Sequence, residues 1–582
     1  MHYKWNLQAF PPHSQEAAER LAKGLGISPI LSRLLLSRHI SSVEEARDFF
    51  RPPISALHDP FLFADMRKAV DRLNGAMGRK EKIMIYGDYD VDGCTAVALV
   101  YTFLSQFYSN IEYHVPNRYE EGYGISMEAV DHAFQAGVKL FIVLDCGIKA
   151  VREIAYAREK GIDFIICDHH MPDPVLPPAC AILNAKRKGE PYPYPHLCGC
   201  GVGFKLMQAF AADNGIPFSR LVPLLDLCAV SIAADIVPVT GENRVLAYYG
   251  LNRLNTAPCT GLSALIDVCG LAGRDRTMSD IIFKIGPRIN ASGRMQNGIE
   301  AVDLLVEKDA AKAYTIARRI NQYNEKRKSL DKSMTEQAER MVGSHSNADS
   351  HSIVIYNQDW HKGVVGIVAS RLTELHYRPT VVLTRCGDFA AGSARSIPGF
   401  NIYKAVESCR DLLVSFGGHT YAAGLTMKAD DVPEFRRRFN LYVKSHLHHI
   451  PSIPTLHIDE LIDFKDITHK FLNDLKRFAP FGPENQKPVF CTMNVYDYGT
   501  SKVVGHEQEH IKLELVDNKS NNVLGGIAFE QSAQLKLIKT KHSFDICYTI
   551  QENTHKPGEP QLQIIDIRPH NIRSCTTSTG TY

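Results

Sequence analysis

The sequence of 582 residues lacks several features that would each place it in a special class of protein. Its longest apolar stretch, 221–239, is interrupted by Asp226 and Asp235 and carries two prolines, so it is a poor membrane span. The first residues, MHYKWNLQAF, have no apolar core of a signal peptide, and no internal repeat is apparent. Positive charge is not in excess either, since 66 Lys and Arg stand against 64 Asp and Glu. Any polyanionic partner must therefore be bound by local basic patches rather than by a global field.

The sequence also lacks the repeated cysteine pairs that are typical of disulfide frameworks and zinc sites. The 14 cysteines are scattered and mostly lie in apolar runs, as Cys167, Cys228 and Cys547 do, which is typical of reduced core residues. Cys198 and Cys200 are close together, but a single C-x-C without a second pair is a weak zinc signal. The cysteine pattern favours core packing over a zinc site and predicts a cytoplasmic protein. Because the longest apolar stretch is a poor membrane span, we expect no membrane attachment.

What is present is an ordinary globular composition, with 45% hydrophobic and 22% charged residues. The length corresponds to about three to five domains, each long enough to bury its own core. Disorder as the main state is thereby excluded.

Short apolar runs alternate with helical patterns between about residues 80 and 240. The runs are KIMIY, IEYHV, KLFIVL and DFIIC, which begin at residues 82, 111, 139 and 163. The segments between them carry apolar residues at a spacing of three to four. Strands that alternate with helices are typical of a parallel sheet covered on both faces, so we predict an α/β fold here.

The flanking regions follow other patterns. Near the start, SSVEEARDFF predicts a helix capped by Ser41, with Glu44 at capping-box spacing. Residues 302–342 keep a helical period without Gly or Pro, which predicts one long helix; two helices broken near Asn324 are the alternative. A second α/β unit then runs to about residue 448, and several short strand patterns from 454 onward predict a small barrel or sandwich.

Acidic residues follow three of the predicted strands. They are Asp88, Asp90 and Asp92 in GDYDVDG, Asp145 in LDCG, and Asp168 before His169 and His170 in CDHH. Ligands gather at the carboxyl ends of parallel strands, and neighbouring carboxylates repel each other unless a cation lies between them. Oxygen ligands with one or two imidazoles suit Mn²⁺ or Mg²⁺, and Asp235 could complete the set. A single Asp at a strand end is more often a helix cap, and Asp88 can be a cap or a partner of the ligands; the three motifs together predict a metal centre.

These residues also carry a family resemblance. GDYDVDG, LDCG and CDHH resemble the first three motifs of the DHH phosphoesterase superfamily, and AADIVP followed by GENR resembles the fourth. Over nearly the whole chain the sequence is similar to the RecJ family of bacterial single-strand-specific exonucleases within that superfamily. The segments that carry this similarity, in the family's order, are ISSVEEARDFFRPP, HDPFLFADM, LCGCGVGFKL, GPRINASGRM, HKGVVGIVASRL, GSARS, FGGHTYAAG and FAPFGPEN.

The resemblance implies two divalent cations, Mn²⁺ or Mg²⁺, and a catalytic set. One cation would be bound by Asp90 and Asp145, and the other by Asp92, Asp145, His169 and Asp235, so that Asp145 is shared. His170 would contact the scissile phosphate or hold the ligand shell, and Asp168 would orient an imidazole.

The resemblance also implies substrate contacts. The second α/β unit is similar to the DHHA1 domain, in which Ser393 and Arg395 of GSARS, together with Arg118, would form a pocket for a 5′-phosphate. By itself Arg118 is equally consistent with a surface charge. The further contacts implied are His419 in FGGHTYAAG, as a phosphate donor, and Arg288, Asn290 and Arg294 in PRINASGR.

The β-rich module resembles the family's oligonucleotide-binding (OB) barrel. Phe490, Tyr496, Lys502 and Lys512 are candidates for contacts with a single strand, although any barrel contains aromatic residues. The predicted architecture is an α/β protein in which a long helix joins a parallel-sheet DHH domain to a DHHA1 domain, and an OB barrel follows them in the chain. Its divisions are a helical extension (1–75), the DHH domain (76–300), the connecting helix (301–345), the DHHA1 domain (346–450), the OB domain (451–570) and a disordered tail (571–582).

The function implied is a 5′→3′ exonuclease on single-stranded DNA that releases mononucleotides in recombination and repair. The expected partners are single-stranded DNA, a single-strand-binding protein and a helicase, and the expected state is a monomer. One rival is a DHH phosphoesterase for small substrates, although such enzymes lack the barrel. Another is a DHH-like scaffold that binds DNA without cutting, although such a scaffold has no reason to keep every metal ligand.

Overall fold

The structure, a computed structural model, describes residues 3–10, 14–122, 124–345, 350–447, 453–540, 542–553 and 556–570. The predicted tail, 571–582, lies outside the described residues. The chain divides into two compact units. The terminal unit comprises Met1–Pro53 and Ile453–Tyr582, and the central unit comprises Ile54–Ser452.

The strands are numbered in chain order. They are β1 (Lys4–Leu7), β2 (Lys82–Gly87), β3 (Ile111–His114), β4 (Val138–Leu144), β5 (Asp163–Cys167), β6 (Ala181–Leu183), β7 (Ile353–Tyr356), β8 (Thr380–Cys386), β9 (Phe389–Arg395), β10 (Leu413–Gly418), β11 (Ala422–Lys428), β12 (Thr455–Ile458), β13 (Glu460–Leu461), β14 (Phe490–Asp497), β15 (Lys502–Val504), β16 (His510–Asp517), β17 (Val523–Ala528), β18 (Phe544–Glu552) and β19 (Pro560–Pro569).

The α-helices are numbered in the same way. They are α1 (Ser14–Leu25), α2 (Pro29–Leu36), α3 (Val43–Phe50), α4 (Met66–Gly78), α5 (Val91–Leu104), α6 (Met127–Gln135), α7 (Val151–Glu159), α8 (Gly199–Asp213), α9 (Leu225–Ala234), α10 (Gly241–Thr256), α11 (Thr260–Val268), α12 (Met278–Asp280), α13 (Gly286–Met295), α14 (Ile299–Val306), α15 (Ala310–His345), α16 (Val365–His376), α17 (Ile402–Glu407), α18 (Val432–His446), α19 (His469–Lys476) and α20 (Leu535–Ile538).

The first sheet of the central unit is parallel throughout, in the order β3-β2-β4-β5-β6. Alternate residues of its strands enter two different cores, because successive side chains of a strand point to opposite faces. Ile83 and Ile142 pack with α4, α5 and α8 on one face, while Phe141 and Phe164 pack with α6 and α7 on the other. The predicted parallel sheet with two covered faces is confirmed.

A long helix follows within the same unit. The helix α15 runs without a break over 36 residues, about 54 Å at 1.5 Å per residue, and Asn324 lies buried within it. It begins at Ala310 because the Asp309 carboxylate accepts hydrogen bonds from the backbone of Ala311 and Lys312, at 2.9 and 3.0 Å. The alternative of a break near Asn324 is wrong. The start of the predicted helix is also corrected, because residues 302–306 belong to a separate helix, α14, which ends at Val306.

The second sheet of the central unit has the order β10-β11-β9-β8-β7. Only its β7–β8 pairing is parallel among the pairings described. Val354 of β7 and alternate buried residues of β8 and β9 share one apolar core with α17 and α18, while Ile355 and Val382 pack with α15 and α16 on the other face. This mixed sheet carries Ser393 and Arg395 near the end of β9.

The terminal unit is built around a closed barrel. The strands β14, β18, β19, β17 and β16 pair in that order, and the additional β14–β16 pairing closes the ring. Of the two predicted alternatives, the barrel is the one formed. The helices α1 to α3 share its core, in which Phe50 meets Phe478 with ring centroids 5.3 Å apart.

Helix α3 corrects one sequence prediction. The cap is Ser42, not Ser41, and its capping-box partner is Glu45, not Glu44. Ser41 still contributes, because its backbone N–H also donates to the Glu45 carboxylate, at 2.9 Å. Two adjacent serines before two adjacent glutamates give the same spacing in either register, so spacing alone could not choose between them.

No helix among the described residues combines the length and apolar character needed to cross a membrane.

Candidate active site

The first acidic motif lies where β2 turns into α5. Asp90 is the N-cap of α5 and accepts a hydrogen bond from the Gly93 backbone at 3.1 Å. Gly93 is required at this turn, because an added Cβ would lie 2.3 Å from the Asp88 carbonyl oxygen. The turn packs the three aspartates of GDYDVDG against the carboxyl edge of the parallel sheet.

The carboxylate of Asp92 is fixed by three hydrogen bonds that the sequence did not indicate. Its carboxylate accepts hydrogen bonds from the backbone of Gly199 at 2.6 Å and of Cys200 at 2.7 Å, and from the Ser231 hydroxyl at 2.6 Å. The two backbone donors belong to the first turn of α8, whose N–H groups have no intrahelical partners. The LCGCG motif therefore supplies an anion-binding helix terminus, a role that could be found only once the helix was placed against Asp92.

Asp145 follows β4 in a left-handed backbone conformation, with φ of +59°. Gly199 lies against it so closely that an added Cβ would be 2.6 Å from the Asp145 Cβ. Burial and the neighbouring charge of Asp92 raise the pKa of Asp145 well above its usual range. The residue is thus a buried carboxylate in a crowded acidic setting.

Asp168 organises the DHH motif. It accepts hydrogen bonds from the Ile148 backbone at 3.0 Å, from the backbones of His169 and His170 at 2.7 and 3.0 Å, and from the His170 ring at 2.8 Å. Burial by itself raises the pKa of Asp168, but the hydrogen bonds and charge of His170 outweigh it and lower the pKa to about 2. Asp168 therefore stays ionised and orients the imidazole of His170.

His169 lies at the centre of the acidic residues. Its Nε2 is 3.1 Å from a carboxylate oxygen of Asp145, 3.6 Å from Asp235 and 3.7 Å from Asp92. None of these approaches has hydrogen-bond geometry, and both ring nitrogens lack a hydrogen-bond partner within the described part of the chain. Burial lowers the pKa of His169 to about 4, although Asp92 opposes the shift. The ring is therefore the neutral form that binds metals.

The side chains group into sets suited to a metal ion. In each of three sets the candidate ligand atoms lie within 4.8 Å of one another: Asp92, His169 and Asp235; Asp88, Asp90 and Asp145; and Asp145, His169 and His170. We call all of these residues together the acidic centre. From the sequence, Asp88 was either a helix cap or a partner of the metal ligands. In the structure it lies close enough to Asp90 and Asp145 to be a ligand itself.

The acidic centre fits a divalent cation on its own chemistry. One carboxylate oxygen each of Asp88, Asp145 and Asp235 is buried without a hydrogen-bond partner among the described residues. Burial and the charges of Asp92 and Asp90 raise the pKa of Asp235 to about 9. Unpartnered buried oxygens and repelling carboxylates are both resolved by a cation with oxygen and imidazole ligands.

Cationic residues lie beside the acidic centre. Burial, followed by the charges of Arg118, Arg395 and Arg327, lowers the pKa of Arg294 to about 10, while Asp90 opposes the shift. The Arg118 guanidinium lies over the Tyr89 ring at 4.0 Å, and its Nε has no hydrogen-bond partner in the described residues. We call Arg118, Arg294, Arg395 and Ser393 the phosphate pocket, after the role that the family resemblance implies for this cluster. It gathers positive charge at one place, as a bound anion requires.

Ser393 and Arg395 share one face of β9, because they are two residues apart in a strand. The Arg395 guanidinium donates to the Ser393 hydroxyl and, at 2.8 Å, to the Ala394 carbonyl. Burial lowers the pKa of Arg395. The structure thus brings the two residues of GSARS together with Arg294.

His419 reaches the acidic centre from the other sheet. It lies in the turn between β10 and β11, and its ring is nearly parallel to that of His170, with centroids 6.1 Å apart and an interplanar angle of 13°. The predicted phosphate donor is therefore beside the DHH motif.

The helix α13 carries the remaining predicted contacts. Arg288 is buried and donates to the Asn321 side chain and the Lys284 carbonyl, both at 2.8 Å, so it ties α13 to the long helix α15. Asn290 is partly exposed on the same helix. Direct substrate contact by either residue stays a prediction.

Two cationic residues near the site were not singled out by the sequence. Arg327 on α15 adds its charge to the surroundings of Arg294, and Lys186, in the loop after β6, acts on Asp235 and His419. Neither lies in a motif, and each reaches the site only through tertiary packing. Sequence spacing therefore offered no signal for them.

In the barrel, one of the suggested aromatic contacts is wrong. Phe490 is fully buried in the core, because its position in β14 points inward, so it cannot stack on a base. Tyr496 is 37% exposed, and Lys502 pairs with Lys512 across β15 and β16 on the outer surface. These three residues remain candidates.

Three family models match the chain. They are the DHH family N-terminal domain over residues 82–232, the DHHA1 domain over 349–445 and the RecJ OB domain over 458–566.

Curated relatives match over most of the chain. The single-stranded-DNA-specific exonuclease RecJ of Bacillus subtilis is 37% identical over 89% of this chain and 65% of its own length. The proteins of the same name from Haemophilus influenzae and Escherichia coli are 31% and 32% identical, and each is matched over 95% of its length. The chain thus spans just under two thirds of the Bacillus subtilis relative but nearly all of the other two.

Solved structures agree in fold. The crystal structure of RecJ in complex with Mn²⁺ from Thermus thermophilus matches with a TM-score of 0.82 and 25% identity, covering 98% of this chain and 80% of that one. The corresponding Mg²⁺ complex matches with a TM-score of 0.75 and 23% identity, covering 98% and 79%.

Proposed function

Because the chain belongs to the RecJ family, we propose that it is a single-strand-specific 5′→3′ exonuclease that releases mononucleotides from DNA. The curated relatives are named single-stranded-DNA-specific exonucleases, and the family resemblance supplies the polarity and the product. One observation carries the proposal: the acidic centre and the phosphate pocket lie side by side in the central unit, where the charges of Asp90 and Arg294 act on each other.

The acidic centre would hold two divalent cations, Mn²⁺ or Mg²⁺. Asp88, Asp90 and Asp145 form one ligand set, Asp92, His169 and Asp235 form the other, and Asp145 also faces His169 at 3.1 Å. Crystal structures of the Thermus thermophilus relative were solved with either ion. Bound there, the cations would supply an activated water and offset the charge that develops on the phosphodiester.

The side chains around the cations have separate tasks. The three hydrogen bonds to Asp92 fix its carboxylate, so that the ligand does not have to be ordered when the metal binds. Burial opposes protonation of His170, but the hydrogen bond and charge of Asp168 outweigh it and raise the pKa of His170. When it is protonated, His170, which lies beside His419, is suited to donate a hydrogen bond to the scissile phosphate.

The phosphate pocket would hold the 5′ end of the strand. Arg118, Arg294 and Arg395 bring guanidinium groups together where no carboxylate lies within ion-pair distance of them among the described residues, and a terminal phosphate dianion would be such a partner. With the 5′-phosphate held there, the next phosphodiester along the strand is the one presented to the acidic centre. Removal of one nucleotide at a time follows from this arrangement.

The wider setting of the enzyme belongs to the same proposal. The OB barrel would bind single-stranded DNA, and within the central unit the long helix α15 would keep the two sheets around a channel too narrow for a duplex. We assign the enzyme to the cytoplasm, in recombination and repair, acting as a monomer with a single-strand-binding protein and a helicase as partners.

The deciding experiment is digestion of a 5′-labelled single strand with Mn²⁺. We expect labelled mononucleotide as the first product, no activity with EDTA, and no digestion of a blunt duplex of the same sequence. A matched strand labelled at its 3′ end should release its label last. Binding without cleavage in either metal would favour the non-cutting scaffold, and release of the 3′ label first would reverse the polarity.

A further inference from the structure

Residues 361–366, HKGVVG, form the link between the two halves of the phosphate pocket. This bridge segment lies between β7 and α16, and its last two residues are the first two of α16. Arg118 and Arg294 come from the part of the chain that carries the first sheet, whereas Ser393 and Arg395 come from the second sheet. The bridge segment contacts both sides.

The bridge segment contacts the half of the pocket that contains Arg118 and Arg294 through Gly363. The guanidinium of Arg294 donates to the Gly363 carbonyl at 3.2 Å, and the Tyr119 hydroxyl donates to the Arg294 carbonyl. That carbonyl lies in the last turn of α13, where backbone oxygens have no intrahelical donor. Arg294 is thus held at both ends, by Tyr119 through its backbone and by Gly363 through its side chain.

The approach at Gly363 leaves no room for a side chain. An added Cβ would lie 2.4 Å from the Arg294 carbonyl oxygen and 2.7 Å from the Tyr119 hydroxyl. His361 completes the contact, because its Nδ1 accepts a hydrogen bond from the Gly363 backbone at 3.1 Å and its ring meets the Tyr119 ring edge-on at 6.2 Å. Any larger residue at Gly363 must push the bridge segment away from α13.

The bridge segment contacts the other half of the pocket, Ser393 and Arg395, through Gly366 in the first turn of α16. An added Cβ there would lie 3.1 Å from the Arg395 guanidinium and 3.3 Å from the Ser393 hydroxyl. The contact on Arg294 and the contact on Arg395 are therefore made by two glycines only three positions apart, with Val364 and Val365 between them. Over so short a distance, a shift at Gly363 is passed on to Gly366 and to the arginine that packs on it.

We propose that Gly363 and Tyr119 are positioning residues, which set the separation of the two halves of the phosphate pocket and so place the 5′ end against the acidic centre. This inference rests on the function proposed above. It predicts a defect specific to ends that use the pocket. A strand with a 5′-hydroxyl lacks the group that the pocket holds, so its cleavage depends less on the spacing.

The test compares kcat and KM on paired single strands that differ only in the 5′-phosphate. For Gly363→Ala we expect kcat/KM on the phosphorylated strand to fall about 10- to 100-fold, mostly in kcat, because a misplacement of about 1 Å is enough for such a loss. The 5′-hydroxyl strand should lose much less. The matched control is Gly343→Ala on α15, where an added Cβ meets nothing within 4 Å. It should behave as the unmodified protein does.

Tyr119→Phe provides an independent variant that keeps the ring and removes only the hydroxyl. We expect a loss in the same direction of roughly three- to tenfold, the size of one hydrogen bond. The double variant should lose no more than Gly363→Ala alone, because both changes loosen one contact. If Gly363→Ala does not unfold cooperatively on heating, Tyr119→Phe decides the question by itself.

The outcomes separate this inference from the proposed function. An unmodified protein that cleaves neither strand contradicts the proposed function. An unmodified protein that cleaves both ends equally contradicts the pocket, and the inference fails with it. If the unmodified protein prefers the phosphorylated end and both variants keep that preference, or lose rate equally on both ends, only the positioning role is overturned.

Discussion

The acidic centre and the phosphate pocket both concentrate charge of one sign, yet they are assembled differently. Most of the acidic centre comes from strand ends of one parallel sheet, with Asp90 capping α5 and Asp92 held by the first turn of α8. The phosphate pocket draws Arg118 from the loop after β3, Arg294 from α13 and Arg395 from β9. The first is built mainly on the ends of neighbouring strands in one sheet, and the second depends on how three separate segments are spaced.

This difference predicts how each site fails. A change in the acidic centre should remove chemistry on every substrate, because the cations serve every phosphodiester alike. A change in the phosphate pocket should act on one kind of strand end. The variants below test that contrast, beginning with the largest expected effect.

Asp145→Asn should abolish cleavage of all substrates. It removes the charge of the residue that faces His169 and lies with Asp88 and Asp90, so we expect kcat to fall at least about a thousandfold on both 5′-phosphate and 5′-hydroxyl strands. Single-strand affinity, measured by fluorescence anisotropy, should change little, because the barrel and the arginines remain. More than a tenth of the original activity in excess Mn²⁺ would show that Asp145 is not a shared ligand.

Arg395→Ala should discriminate between strand ends. A charge-assisted hydrogen bond is worth roughly 1.5–3 kcal/mol, which corresponds to about ten- to a hundredfold in kcat/KM for the phosphorylated strand. The 5′-hydroxyl strand should be affected less, and the Mn²⁺ concentration that gives half-maximal rate should be unchanged. Equal losses on both strands would make Arg395 a general backbone contact or a structural residue.

Ser231→Ala should weaken metal binding without touching the substrate. The hydroxyl donates to Asp92 at 2.6 Å, and its loss leaves that ligand with the two backbone donors of α8. Removing such a partner of a ligand typically costs about 10-fold or more in metal affinity. We expect the half-maximal Mn²⁺ concentration to rise by about that factor, while the rate at saturating Mn²⁺ and the preference for 5′-phosphate are kept. An unchanged metal dependence would leave Ser231 with a packing role only.

The smallest effect concerns stability and pH in the absence of metal. Burial and the charges of Asp92 and Asp90 raise the pKa of Asp235 to about 9, whereas an Asp in an unfolded chain titrates near about 4. Between these values the folded chain binds more protons than the unfolded chain, so its stability falls as the pH rises. Thermal melts with EDTA should therefore drop by a few degrees between pH of about 5.5 and 8.5. Mn²⁺ should raise the melting temperature most at the upper end of this pH range. A melting temperature that rises with pH in EDTA would contradict the raised pKa of Asp235.

The two sites also differ in how far the sequence could predict them. The acidic centre was predictable because GDYDVDG, LDCG and CDHH each follow an apolar run, and parallel strands end at one edge. Asp88 was left undecided, since an acid at a strand end looks the same as a cap and as a ligand. The donors to Asp92 were missed, because Gly199 lies 107 positions away and meets it only after α8 has packed.

The phosphate pocket and the terminal unit show what sequence patterns leave out. GSARS and Arg118 were found through the family resemblance rather than through spacing, and Arg327 gave no signal at all. The inward direction of Phe490 depends on the register of β14 in a closed barrel, which residue types do not define. The packing of α1 to α3 on that barrel joins the two ends of the chain, and no local pattern reports contacts at such a separation.

The most direct test of the central claim is a crystal structure with Mn²⁺ and a 5′-phosphorylated single strand whose first internucleotide linkage is a phosphorothioate. We expect two anomalous peaks, one among Asp88, Asp90 and Asp145 and one among Asp92, His169 and Asp235, with the terminal phosphate on Arg395. The phosphorus of the first internucleotide linkage should then lie beside both manganese peaks. A single peak, or a strand whose 3′ end enters the acidic centre while the phosphate pocket stays empty, would contradict the account.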